Sequence, residues 1–235
     1  KSASITVNVT QSKVQIHGEY EIAVGKSVKL KAYGPGVTWS IAKYDGAEPT
    51  AQVLKAIKVS NGTVSVNAKA GSIIGADVSG KEITVRATSK LKGDSDNNDD
   101  YILTIKDQTQ KMVIIDNSDN SDVTGKTVGF ERNDLGTEKM SFMAESRGSS
   151  NTTDGISQNI TWKISDTRKA SLETYYDNAK KTTICIVEPL QAGNVKLTAT
   201  STDGTNKSAS VTINIAKLVQ RLSVGGQTKE VAAGR

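Results

Sequence analysis

The sequence predicts an all-β chain built as tandem β-sandwiches, with two repeats and partial strands at both ends. Three observations carry this prediction. Apolar residues alternate with a period of two over short runs, as half-buried strands require. Clusters of Gly, Asn, Asp and Ser separate those runs and supply turn conformations. One nine-residue segment, KSASITVNV at residues 1–9, returns almost unchanged as KSASVTINI at residues 207–215, which marks internal repetition.

Taken along the chain, alternating runs occur at Ile5 to Val9, Val28 to Ala32, Val37 to Ile41, Val64 to Val66, Ile83 to Ala87, Ile160 to Ile164, Val195 to Ala199 and Val211 to Ile215. Turn clusters lie at Ser60 to Gly62, Gly93 to Asp96 and Asp203 to Asn206. Two short stretches read as helical. Val53, Leu54 and Ile57 have helical spacing within Ala51 to Lys58, and Asp166 is placed to cap one turn reaching Lys169. The segment from Asp100 to Ile105 lies midway between the two copies of the repeated strand, so two sandwich lengths fit between them. The expected division is residues 1–107 for the first sandwich, 108–217 for the second and 218–235 for the start of a third. Residues 1–9 read as the last strand of a preceding repeat, so the chain reads as an internal piece of a longer array.

Several motifs resemble the bacterial immunoglobulin-like domains of group 2, a family of cell-surface repeats. Residues 23–32, AVGKSVKLKA, are similar to the family's Gly-x-x-Val-x-Leu-x-Ala strand, and 37–40, VTWS, to its Val-Thr-Trp-Ser strand. Thr63 to Gly71 is similar to its Gly-x-Val segment ending in Ala-Gly. The second repeat keeps Thr124 to Val128, Ile160 to Trp162, Ala192-Gly193 and Leu197 to Thr200, with insertions at Glu131 to Lys139 and Arg147 to Ser157. The resemblance implies immunoglobulin-like sandwiches acting as spacers or interaction modules. A fold of this kind does not dictate the role it carries.

Composition removes most chemistries. The single cysteine, Cys185, excludes an internal disulfide framework and a cysteine-based zinc site, and the single histidine, His17, leaves few proton shuttles. No apolar run reaches the roughly 18–20 residues that cross a bilayer, and Lys1 does not open a signal peptide. The net charge of +5 comes from 30 Lys and Arg against 25 Asp and Glu spread along the chain. Without a basic block or interleaved aromatic residues, this reads as a solvated surface and not as a nucleic-acid footprint.

Individual candidates each have two readings. Trp39 and Trp162 occupy equivalent strand positions and are expected in the core, the alternative being a sugar-stacking platform. Tyr175 and Tyr176 are strand neighbours, so one ring should face solvent. Asp94, Asp96, Asn98 and Asp100 put oxygen ligands at every second position, a spacing able to wrap calcium, with Asp116 to Asp122 as a second acidic loop. The set departs from an EF-hand, having Asp99 where the turn glycine belongs and Ile105 where the bidentate Glu belongs; a solvated polar turn is the plainer reading. Cys185 sits in an apolar strand and reads as packing, with no dyad to His17. Gly34 to Gly36 and Gly225-Gly226 are turns and not phosphate loops. Five Asn-x-Ser/Thr triplets, at Asn8, Asn61, Asn151, Asn159 and Asn206, reflect composition, and no triad for an isopeptide crosslink is identifiable.

The expected function is therefore a non-catalytic structural spacer of a bacterial cell-surface protein that holds a distal region away from the envelope. Competing readings are an adhesin-type or carbohydrate-binding module and a surface-layer subunit with calcium at domain junctions. The expected partners are neighbouring immunoglobulin-like repeats, with cell-wall polymer, a host or matrix ligand, or lattice neighbours as further candidates. Nucleic acid and membrane insertion are not expected, and the expected location is extracellular, at the bacterial surface or cell wall.

Overall fold

A computed structural model describes residues 13–34, 36–89, 97–130 and 139–216, with the backbone of 219–224 and 227–232. The chain divides into two compact units, residues 1–106 and 107–235.

In the first unit, β1 (Gln15–His17) is followed by β2 (Glu21–Ala23), β3 (Ser27–Lys29), β4 (Lys31–Tyr33) and β5 (Val37–Tyr44). Next come α1 (Ala51–Ala56), β6 (Ile57–Ser60), β7 (Thr63–Val66), α2 (Ala70–Ile74), β8 (Glu82–Ser89) and β9 (Asn98–Lys106). One sheet has the order β2-β9-β8-β5, with β2 parallel to β9. Opposite it lie β3-β7-β6 and the pair β1-β4. Leu30 alone separates β3 from β4, so the second layer reads as four strands, with β1 and β7 flanking successive parts of one strand.

The second unit repeats this plan. Its strands are β10 (Lys111–Asp116), β11 (Thr127–Phe130), β12 (Met140–Arg147), β13 (Ile160–Ile164), β14 (Ala170–Asp177), β15 (Thr182–Pro189), β16 (Gly193–Ser201) and β17 (Ser208–Ile215). The sheets are β10-β12-β15-β14 and β11-β17-β16-β13, again with the second strand parallel to the last. In immunoglobulin lettering both units are A-B-E-D over A′-G-F-C, the arrangement of an immunoglobulin-like sandwich. The chain is thus all-β, and its fold is immunoglobulin-like. A separate hairpin is formed by β18 (Val219–Val224) and β19 (Gln227–Ala232).

Each unit fills its interior from the alternating residues. Ile22, Leu30, Ile57, Ile83, Leu103 and Ile105 are fully buried in the first; Phe142, Ile114, Leu197 and Ile213 are fully buried in the second. Burying a side chain of this size contributes about 1.5–3 kcal/mol. Strand β10 departs from alternation, because Met112, Val113, Ile114 and Ile115 are all buried, so both of its faces are covered.

The helical expectations meet a mixed outcome. Thr50 caps α1, its hydroxyl accepting from the Val53 N–H at 3.3 Å. The helix stops at Ala56, not Lys58, because Ile57 turns extended (φ −127°, ψ 128°) and enters β6 as a core residue. Asp166 closes a hydrogen-bonded turn, its carboxylate accepting from the Arg168 N–H at 3.1 Å, with no helix. The helix α2 carries no sequence signal, since five residues are too few to show a period and Lys69 makes no side-chain cap.

Candidate functional site

Both tryptophans lie at the margin of their cores, half-buried and packed against the buried clusters. Trp162 also donates its indole N–H to the Thr183 carbonyl at 3.1 Å, which satisfies its polar atom at the core edge. The Trp39 ring lies against Gly62.

The tyrosine pair differs from expectation. Tyr175 and Tyr176 are both exposed, at 48% and 52%. They sit on β14, the edge strand of its sheet, where the run from Thr174 to Tyr176 is exposed on both faces. Alternation exposes one residue of two only where a second layer covers the other face.

Cys185 is fully buried on β15, between Phe142 on β12 and Thr174 on β14 in register. Burial pushes its thiol pKa up to about 12, so the thiolate needed for nucleophilic attack is scarce at neutral pH. His17 belongs to the other unit and stands edge-on to Tyr33, with ring centroids 5.2 Å apart.

Of the calcium candidates, Asp94 and Asp96 lie outside the described residues. Asn98 and Asp100 are on β9, and Arg86 on β8 grips Asp100 with two bonds of 2.6 and 2.7 Å. That guanidinium holds the Asp100 carboxyl below the usual carboxylate range, and a cation would have to displace it. The residues between them have the defined task. Asn97 accepts from the Val14 N–H at 2.8 Å, and Asp99 accepts from the Ile16 N–H at 2.7 Å, tying the entering strand to the last one. The calcium candidates occupy the even positions of this run, whereas Asn97 and Asp99 at the odd ones bond the segment that enters β1.

The second unit solves the same problem with Asp203, which is fully buried. One oxygen accepts from the Thr109 N–H and hydroxyl (3.3 and 2.7 Å), and the other accepts from the Thr205 N–H at 2.9 Å. Sequence reading placed Asp203 in a turn cluster; its link to Thr109, 94 positions away, had no local signal. The Asp116 to Asp122 loop closes on itself. Its Asp116, Asp119 and Asp122 side chains each accept from the N–H two residues on, at 2.9 Å. The Ser121 N–H and hydroxyl hold the Asp119 carboxyl, and the Thr124 hydroxyl and N–H the Asp122 carboxyl, below their usual range. Among the described residues, no three His, Cys, Asp or Glu side chains converge as a metal site.

The feature shared by the two units is the pairing of first and last strands. In the first, Glu21, Ile22 and Ala23 lie in register with Thr104, Ile105 and Lys106. The Thr104 N–H donates to Tyr20 and the Val24 N–H to Lys106, both at 2.9 Å. The Lys106 ammonium also lies 3.2 Å from the Glu21 carboxylate. In the second, Thr127 to Phe130 run in register with Thr212 to Ile215, flanked by Thr212 N–H to Lys126 (2.9 Å) and Ala216 N–H to Phe130 (3.1 Å). Because these neighbours are parallel, the chain enters each sandwich at one end and leaves at the other. Tension on the two ends of a unit slides one strand along the other and loads their bonds together.

No family model matches the chain, and no curated protein matches it. Solved structures do. Domains 4 and 5 of the S-layer protein SbsC align at 11% identity and a TM-score of 0.32, over 88% of this chain and 99% of that one. The D00-D0 domain of intimin aligns at 14% and 0.30, over 86% and 99%. The human desmocollin-1 ectodomain aligns at 10% and 0.29, and this chain spans 43% of its length.

Proposed function

We propose that this chain is a non-catalytic spacer segment of a bacterial cell-surface protein, made of immunoglobulin-like repeats of the group 2 kind and working outside the cell. One observation carries the reading: in both sandwiches the first and last strands are parallel neighbours, so each unit advances the chain by its own length and takes tension in shear. The connection from β9 to β10 is short, residues 107–110. The thiol of Cys185, buried within its unit, is poorly placed for nucleophilic chemistry.

Small-angle scattering on the intact chain tests the proposal. A compact globule of this length has a radius of gyration of about 17.5 Å. The spacer reading predicts a value well above that and a pair-distance distribution with an extended tail. A value at the compact limit would overturn it.

A further inference from the structure

We propose that the outer face of the small sheet β3-β7-β6, with the last turn of α1, binds an anionic glycan, a sugar polymer bearing carboxylate or phosphate groups. Residues 22–44 and 49–76 contain seven lysines and no Asp or Glu. Folding gathers part of this charge. Val28 and Val64 point into the core, so the register turns Lys58, Ser65 and Ser27 outward in one row across the three strands and Ser60, Thr63 and Lys29 in the next. At about 4.8 Å between strands, such a row spans roughly 10 Å. The Ser27 and Ser65 hydroxyls are 2.7 Å apart. Beside them opens a cleft of ≈ 360 Å³ lined by Lys26, Lys55, Lys58, Ser27, Ser65 and Asn67.

Three cations elsewhere in this unit have carboxylate partners: Lys81 meets Asp45, Arg86 meets Asp100 and Lys106 meets Glu21. Among the described residues, Lys26, Lys55 and Lys58 have none. Clustered ammonium groups repel one another, and a multivalent anion relieves that repulsion. The chemistry of the lining selects the class of partner. Lysines attract anions as mobile point charges without the fork by which Arg reads planar groups. Hydroxyl and amide side chains suit sugar hydroxyls. No aromatic ring lines the cleft, so nucleic-acid bases would find nothing to stack on. The face left no signal in the sequence because Lys26 is far along the chain from Lys55 and Lys58, and no basic block forms.

This inference stands independently of the spacer reading and has its own test. Binding of labelled polygalacturonate to the intact chain is measured at low and physiological salt, beside neutral dextran and oligo-dT. Polygalacturonate should bind, dextran should not, and the affinity should fall as salt rises. The K55E/K58E variant should weaken binding at least about tenfold, equivalent to about 1.4 kcal/mol. The K163E/K196E variant, which reverses two exposed charges in the second unit, should stay within about twofold. Circular dichroism of each variant checks that the fold is kept. Absence of polygalacturonate binding, equal loss in both variants, or oligo-dT bound as tightly through the same lysines would overturn the proposal.

Discussion

Gly62 shows how much one position carries. It follows Asn61 in the two-residue turn between β6 and β7, with both φ angles positive at 48° and 76°, as a type I′ turn demands. A Cβ at Gly62 would lie 2.5 Å from the Leu30 carbonyl and 3.0 Å from the Trp39 ring. The Leu30 N–H also donates to the Gly62 carbonyl at 2.8 Å, where the strand from Ser27 to Tyr33 breaks in two. Replacing Gly62 with alanine adds left-handed strain of about 1–2 kcal/mol to that collision. The G62A variant should therefore lose at least about 2 kcal/mol in urea unfolding. The turn itself was legible from Ser60-Asn61-Gly62, but the ring lying over it was not, since a turn signal is local and the approach of Trp39 is tertiary.

At the level of elements, alternation identified most of the core strands because each has one face inside. It was blind in β10, buried on both faces, and at the Tyr175-Tyr176 end of β14, open on both, and it also passed over β12, where Phe142 and Ala144 do alternate inward. The transfer of the first strand from one sheet to the other also left no pattern, since β1 and β2 have three residues each, too few to show a period. The cross-strand pair between β8 and β9 yields a prediction at this scale. The hydrogen bonds from Arg86, more than the charges themselves, hold the Asp100 carboxyl below its ordinary value of 3.8. A lowered pKa means the contribution is complete above that ordinary value and is lost as pH falls through the lowered one. Side-chain exposures of 41% and 36% limit it to about 0.2–1 kcal/mol. Thermal unfolding from pH 5 down to about 2 should thus show the native chain losing more stability than R86M. Equal losses would mean the pair contributes nothing.

For the whole molecule, the repetition of KSASITVNV and the match of VTWS with ITWK announced a duplicated β unit, and the structure has two units with one strand order. The first copy of that segment lies outside the described residues; the second forms β17, the parallel partner of β11. The proposed function was less legible, because resistance to tension depends on which strands are neighbours, whereas residue types record only which face is buried. In the proposed function, two separately folded sandwiches carry tension through their parallel end strands. Pulling the intact chain by its ends tests it most directly. Two rupture events are expected, each releasing a chain of roughly 100 residues, about 35 nm at full extension. A single event releasing the whole chain at once, or a steady extension without force peaks, would contradict it.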